Sequence, residues 1–275
     1  MLQVCLKKNI KLNPDKVKLG RRVEFGGISI QACRTEGDDQ KRVYLSPSEE
    51  KLQTFLRLKT PETKVEVKRA CGMIAQMKKF CPGGDVDLPL LQKLSAHNTA
   101  FTLNERLQEE FDKLKRAMRE SIKLSPLDIH KKIFCFTDAA VTCCMAYLLL
   151  QKKQELDEDR DPKYSYLIIS CDSTTFRRAQ YMYSPYKAEL LAITWMCKKE
   201  DYNLRAAPLF KVYSDAKNMG SFLKSDLQQV KNARSFRMME RLLPYNIEVE
   251  YREGKKMAVA DYGSRAPISE GNHRE

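Results

Sequence analysis

One stretch constrains the fold more than any other: SPYKAELLAITWMCKK, Ser184 to Lys199. It reads as a single helix, with Ser184 as its cap and Pro185 in the first turn, where a missing N–H costs nothing. Ala192, Ile193 and Met196 lie three, four and seven residues after Glu189, so helical spacing sets a carboxylate on the face destined for the core. A bare carboxylate is expensive to desolvate, and no arginine on that face is spaced to pair with it. Two readings follow from the helix alone. Either it is rolled so that Glu189 meets solvent, or Glu189 is a metal ligand.

The surrounding chain decides what that helix packs on. After a boundary near Ser125-Pro126, Lys132 to Phe136 forms a short apolar strand ending at Thr137-Asp138. Thr142 to Leu150 and Tyr164 to Cys171 are two further strand-length apolar runs, separated by a charged loop, Gln151 to Lys163. The helix comes next. Leu209 to Ser214 is a fourth strand ending at Asp215, helical material follows, and Asn246 to Tyr251 alternates like a half-exposed fifth. Glu253-Gly254 turns the chain into Val259-Ala260-Asp261. Strand, strand, strand, helix, strand, helix, strand, helix predicts an α/β (α+β) domain over residues 126–275, a mixed five-stranded sheet flanked by helices.

Upstream the pattern differs. Residues 1–45 are β-prone and basic, with Arg22–Phe25 and Ile28–Ile30 flanking Gly26-Gly27 as a hairpin or bulged strand pair. Arg34 to Arg42 reads as a polar loop, and its Asp38-Asp39 pair as a solvated turn. Residues 46–125 turn helical. Helix starts fall at Ser46-Pro47-Ser48-Glu49-Glu50 and at Thr60-Pro61-Glu62, and a third helix runs from Asn104 to Ile122. Their core stripes are Leu52, Phe55 and Leu56; Val67, Ala70, Ile74 and Met77; and Leu107, Phe111, Leu114, Met118 and Ile122.

Asp138 and Asp215 occupy the same place in two separate strands. If those strands are parallel neighbours, both acids emerge at the carboxyl edge of the sheet, where open α/β sheets place ligands. Glu189 faces inward from the helix leading into the second strand, and Ala258, Val259 and Ala260 would tether Asp261 to the core. Taken singly, each aspartate is readable as a turn or cap former. As a set they would repel one another, and divalent cations are the usual remedy. Nine cysteines include no Cys-x-x-Cys, and there are only three histidines, which argues against zinc; acid-only ligands favour hard Mg²⁺, with Mn²⁺ as the alternative. Odd number, irregular spacing and placement in apolar runs suggest reduced, mostly buried thiols of an intracellular protein.

Charge narrows the partner. The net charge is +13, and the excess is concentrated upstream: residues 1–125 hold 25 Lys+Arg against 16 Asp+Glu, and residues 126–275 hold 24 against 20. A polyanion, nucleic acid or an acidic membrane, is favoured. No apolar run approaches the roughly 18 residues of a membrane span, and the start is too polar for a secretory signal. Met1 sits inside a patterned segment, so a natural beginning further upstream is expected.

Together these residues resemble the ribonuclease H domain of gypsy-type LTR retrotransposon reverse transcriptases. That family's strand ending in T-D-A-S, helix E-L-L-A-I-x-W, strand ending in T-D-H and late A-D-x-x-S-R read here as Thr137-Asp138-Ala139-Ala140, Glu189 to Trp195, Ser214-Asp215-Ala216, and Ala260-Asp261-Tyr262-Gly263-Ser264-Arg265. The resemblance continues upstream. Asn9 to Pro14 and Val23 to Gly26 are similar to the end of the palm (residues 1–45). Leu45 to Lys51, Thr60 to Thr63 and Leu103 to Met118 are similar to the thumb and the last helix before the ribonuclease (residues 46–125). The resemblance implies that Asp138, Glu189, Asp215 and Asp261 are catalytic ligands of two Mg²⁺ ions that hydrolyse the RNA strand of an RNA–DNA hybrid. Arg177 and Arg178 are the candidates for holding phosphates, and the upstream polymerase segment of the same polyprotein is a further expected partner.

Departures from the family mark out the alternatives. No Tyr-x-Asp-Asp is present, so primer extension is not expected of this chain alone. Cys143 and Met145 stand where the family has Gly-x-Gly, Ala140 where it has serine and Ala216 where it has histidine. A remnant that binds nucleic acid without cutting it is therefore the alternative to an endonuclease. A purely scaffolding subunit is the third reading.

Overall fold

The computed structural model describes residues 2–11, 13, 17–35, 38–81, 105–140, 144–152, 166–176, 180–205, 207 and 209–253. A short helix, α1 (Leu2–Lys7), precedes a three-stranded antiparallel sheet of β1 (Arg22–Phe25), β2 (Ile28–Thr35) and β3 (Asp38–Pro47). The predicted hairpin is present. Gly26 and Gly27 both carry positive φ, 58° and 80°, as a two-residue hairpin turn requires. The polar loop expected over Arg34 to Arg42 is a correction: most of it is strand, and Asp38 and Asp39 belong to β3. Hairpin neighbours β2 and β3 recruit this polar stretch into the ladder despite its low β propensity.

Three helices follow: α2 (Glu49–Arg57), α3 (Lys64–Met77) and α4 (Glu105–Arg119). Ser48 caps α2, accepting from the Lys51 N–H. The start of α3 is Thr63, which makes a capping box with Glu66, and the Thr60-Pro61-Glu62 signal lies just outside the helix. Phe55, Val67, Ala70, Ile74, Met77, Leu107, Phe111, Leu114 and Met118 form one buried cluster. They are most of the stripes that the 3.6-residue period marks out; Leu52 packs against the cluster half-buried, and Leu56 and Ile122 are half-buried outside it.

The second core is a sandwich of sheet and helices. Strands β4 (Ile133–Ala140), β5 (Cys144–Lys152), β6 (Tyr166–Thr175), β7 (Phe210–Ser214) and β8 (Ile247–Tyr251) make a mixed sheet ordered β6-β5-β4-β7-β8. Here β5 runs antiparallel to β4 and β6, whereas β4, β7 and β8 are parallel. Helices α5 (Pro185–Lys199), α6 (Asp201–Leu204), α7 (Met219–Leu223) and α8 (Ala233–Leu242) connect the later strands. Ile133, Cys135, Leu149, Phe210 and Val212 of the sheet bury against Leu190, Ile193 and Met196 of α5, while Met238 and Leu242 of α8 join the same cluster. Packed between sheet and α8, α5 is apolar on most of its circumference, which is why its own sequence left its rotation open.

Edge strand β6 is covered. Ser125 N–H donates to the Ile168 carbonyl, Leu45 and Leu124 form a β-bridge, and Lys78 pairs with Asp172 at 3.1 Å. The upstream helical core thus abuts the sheet instead of leaving its edge open to strand addition.

Candidate functional site: a buried glutamate between two strands

Pairing of β4 to β7 ends at Phe136↔Tyr213. Just beyond that point a side chain bridges the two strands. Glu189, one turn into α5, accepts the Ala139 N–H of β4 on Oε1 at 3.0 Å and the Ser214 hydroxyl of β7 on Oε2 at 2.8 Å. It is 7% exposed. Burial pushes its pKa from 4.5 to about 8; Ser214 and the Ala139 N–H pull the other way, while Asp138 and Asp215 push it further up. Desolvation is the largest cause and outweighs the two hydrogen bonds, and the like charges of Asp138 and Asp215 add to it.

Asp138 lies within β4 rather than after it: the strand runs on through Ala140. It is buried, on the same side of the strand as Phe134 and Phe136, whereas Ile133 and Cys135 face α5. Asp215 directly follows β7 and is exposed. Asp138, Glu189 and Asp215 therefore lie along the same edge of the sheet, where β4 and β7 part. Asp261 lies outside the described residues, as do Arg177, Arg178 and Cys143.

Met145 is buried rather than presented at a surface. It packs with Phe176 and with the small side chains Ala188 and Ala192 of α5, Ala139 lying against the same cluster. Alanines on the helix make the room that a glycine in the strand would otherwise leave.

Three features escaped sequence reasoning. Ser214 was legible in principle, because strand alternation turns it toward α5. The Ala139 N–H carries no side-chain signal at all. A third is Arg252, whose guanidinium lies 5.3 Å from the centroids of both Phe136 and Tyr213; those rings are themselves stacked 4.9 Å apart. This cation stands two residues short of Asp138 and Asp215 along β4 and β7.

Among the described residues, no three His, Cys, Asp or Glu side chains stand close enough to hold a metal ion as they are. The donor chemistry nevertheless fits a hard divalent cation. All three are carboxylates, and one is held far above its ordinary pKa by burial and by the other two, an imbalance that a cation relieves.

A mixed sheet of this order, with acids gathered where its first and fourth strands diverge, defines a ribonuclease H-like domain. Residues 128–245 match the family described as the RNase H-like domain found in reverse transcriptase. The chain is related to retroelement Pol polyproteins. It is 26% identical over 273 residues to the retrovirus-related Pol polyprotein from transposon opus of Drosophila melanogaster, covering 95% of this chain and 25% of that one. It is 25% identical over 221 residues to the transposon Tf2-3 polyprotein of Schizosaccharomyces pombe, 80% of this chain and 16% of the relative. The chain thus spans a quarter or less of the length of these relatives. Among solved structures, the foamy viral protease-reverse transcriptase in complex with RNA/DNA hybrid superposes with a TM-score of 0.67 at 15% identity, over 93% of this chain and 32% of that one. The same protein in complex with dsDNA gives 0.63 at 16% identity, over 86% and 45%. The fold is shared across most of the chain. Among the described residues, no helix is long and apolar enough to cross a membrane.

Proposed function

We propose that this chain is the ribonuclease H part of a retroelement reverse transcriptase and cleaves the RNA strand of RNA–DNA hybrids. Residues 126–275 carry the chemistry, 1–45 are the end of a palm-like segment and 46–125 a thumb-like module. The observation that carries this reading is the placement of Glu189: buried, bridging β4 and β7, and pressed by Asp138 and Asp215. Asp138, Glu189, Asp215 and Asp261 are the ligands, and Mg²⁺ is the cofactor, with Mn²⁺ as substitute. Two such ions, when bound, activate an attacking water and stabilise the leaving oxygen.

The chain's own groups set the stage. Ser214 and the Ala139 N–H hold Glu189 in one orientation, so its charge is delivered to a fixed point once its proton leaves. Asp138 is fixed by the strand; Asp215, at the strand end, is accessible to substrate and solvent. Lysines and arginines, with Arg177 and Arg178 among them, neutralise phosphates, and RNA is selected by its 2′-hydroxyls and by hybrid shape. The upstream polymerase segment of the polyprotein is the natural partner, and a relative of this fold has been solved on an RNA/DNA hybrid. The readings separate on a labelled hybrid incubated with Mg²⁺. The expected result is cleavage, reduced at least about 100-fold by Asp138→Asn or Glu189→Gln. Cleavage indifferent to both substitutions would sink the assignment. Salt-sensitive hybrid binding without cleavage in either metal would favour the binding-only reading.

A further inference from the structure

At the start of β4, remote from Asp138, Lys131, Lys132, Phe134 and Lys152 line a cavity of about 230 Å³. The ammonium groups of Lys132 and Lys152 lie 5.9 and 6.0 Å from the centroid of the Phe134 ring, and Tyr166 stands edge-on to it at 5.8 Å. Like charges gathered at one ring repel one another, and a polyanion turns that cost into attraction.

The arrangement is also held in shape. Gln151, 1% exposed, accepts the Asp128 N–H at 2.9 Å and donates to the carbonyls of Asp128 and Lys131 at 2.8 and 3.1 Å. One buried amide thereby fixes the turn carrying Lys131 against the strand carrying Lys152. Phe134, Phe136 and Asp138 share one side of β4, so the cavity opens on the same sheet face as Asp138, about 13 Å along at 3.3 Å per residue. Between the two lie the stacked Phe136 and Tyr213 with Arg252.

We propose that this cavity binds a single-stranded segment of nucleic acid, with an unpaired base against Phe134 and its phosphates on Lys132 and Lys152. Phe134 is half-buried between the two lysines, and aromatic rings interleaved with cations are the usual platform for single strands. This goes beyond hybrid cleavage and rests on that reading only for the class of ligand.

The test is fluorescence anisotropy of a labelled oligonucleotide of about a dozen nucleotides, with the full chain and EDTA present, so that binding is read without any dependence on cleavage. The double variant Lys132→Gln/Lys152→Gln is expected to weaken binding and lower the slope of log K against log salt by about 1.4, at 0.7 per phosphate contact. Phe134→Leu is expected to cost about tenfold at unchanged slope, the size of one lost base stack. Unaltered affinity and slope in the lysine variant would overturn the proposal, and that arm decides if Phe134→Leu does not fold. Loss of hybrid cleavage in Glu189→Gln with oligonucleotide binding intact separates this site from the carboxylates; binding lost there as well would refute the separation.

Discussion

Helix α5 has a buried glutamate near each end, and the two ends are built differently. Glu189 is 7% exposed and Glu200, immediately after the helix, is 8%, so burial does not distinguish them. Their partners do. Glu200 accepts from the Tyr147 hydroxyl at 2.7 Å, the Ser170 hydroxyl at 2.6 Å and the Asn203 side-chain amide at 2.7 Å. Lys199 beside it pairs at 3.1 Å with Asp172, which Lys78 also holds. That end is a finished structural joint. Glu189 has two donors, two acidic neighbours and a pKa of about 8. An acid surrounded by donors stabilises a fold, whereas an acid surrounded by acids awaits a cation.

The comparison breaks most readily at its structural end. Glu200→Ala strands the Tyr147 and Ser170 hydroxyls and the Asn203 amide, and should cost about 3 kcal/mol in chemical denaturation. Glu189→Gln should cost far less, or nothing, because the metal-free chain already tends to keep that carboxyl neutral. If the two substitutions cost the same, the distinction fails.

Next in size is a pH effect. Folding raises the Glu189 pKa from 4.5 to about 8, so the folded chain binds this proton more tightly than the unfolded one. Stability from this group is complete below pH 4.5 and is lost as pH rises through about 8, a change on the order of a few kcal/mol. Urea titrations of the metal-free chain should show that decline, and Glu189→Gln should lack it. A wild type and variant with parallel profiles would refute the assignment.

A smaller effect calibrates the scaffold away from both ends. A Cβ on Gly220 in α7 would collide with the Val249 carbonyl of β8. Gly220→Ala should lower stability by about 1–3 kcal/mol and leave the ligand geometry of Glu189 unchanged. A melting temperature equal to wild type would show that β8 yields freely at that contact.

Much of this was legible from spacing. Strand runs and helix stripes reproduced the succession of five strands along the chain and the helical core, because period and burial agree there. The misses have local causes. Asp38 and Asp39 entered a strand because the ladder overrode their turn preference. The cap of α3 fell to Thr63, where Glu66 answers it three residues later, and Asp138 moved inside β4 because pairing with β5 continues to Ala140↔Cys144. At the site, the acids were visible as residue types. What holds Glu189 was not, since a backbone N–H and a serine at a strand end carry little signal. Glu200, equally buried, gave no sign that its donors would come from β5, β6 and α6.

The central claim is that Glu189 is kept neutral by its surroundings until a cation takes the place of its proton. Calorimetric titration of Mg²⁺ or Mn²⁺ into the chain at pH 7, in two buffers of different ionisation enthalpy, reads that proton directly. The account predicts release of close to one proton per chain, lost in Glu189→Gln and retained in Glu200→Gln. Metal binding with buffer-independent heat in the wild type would contradict it.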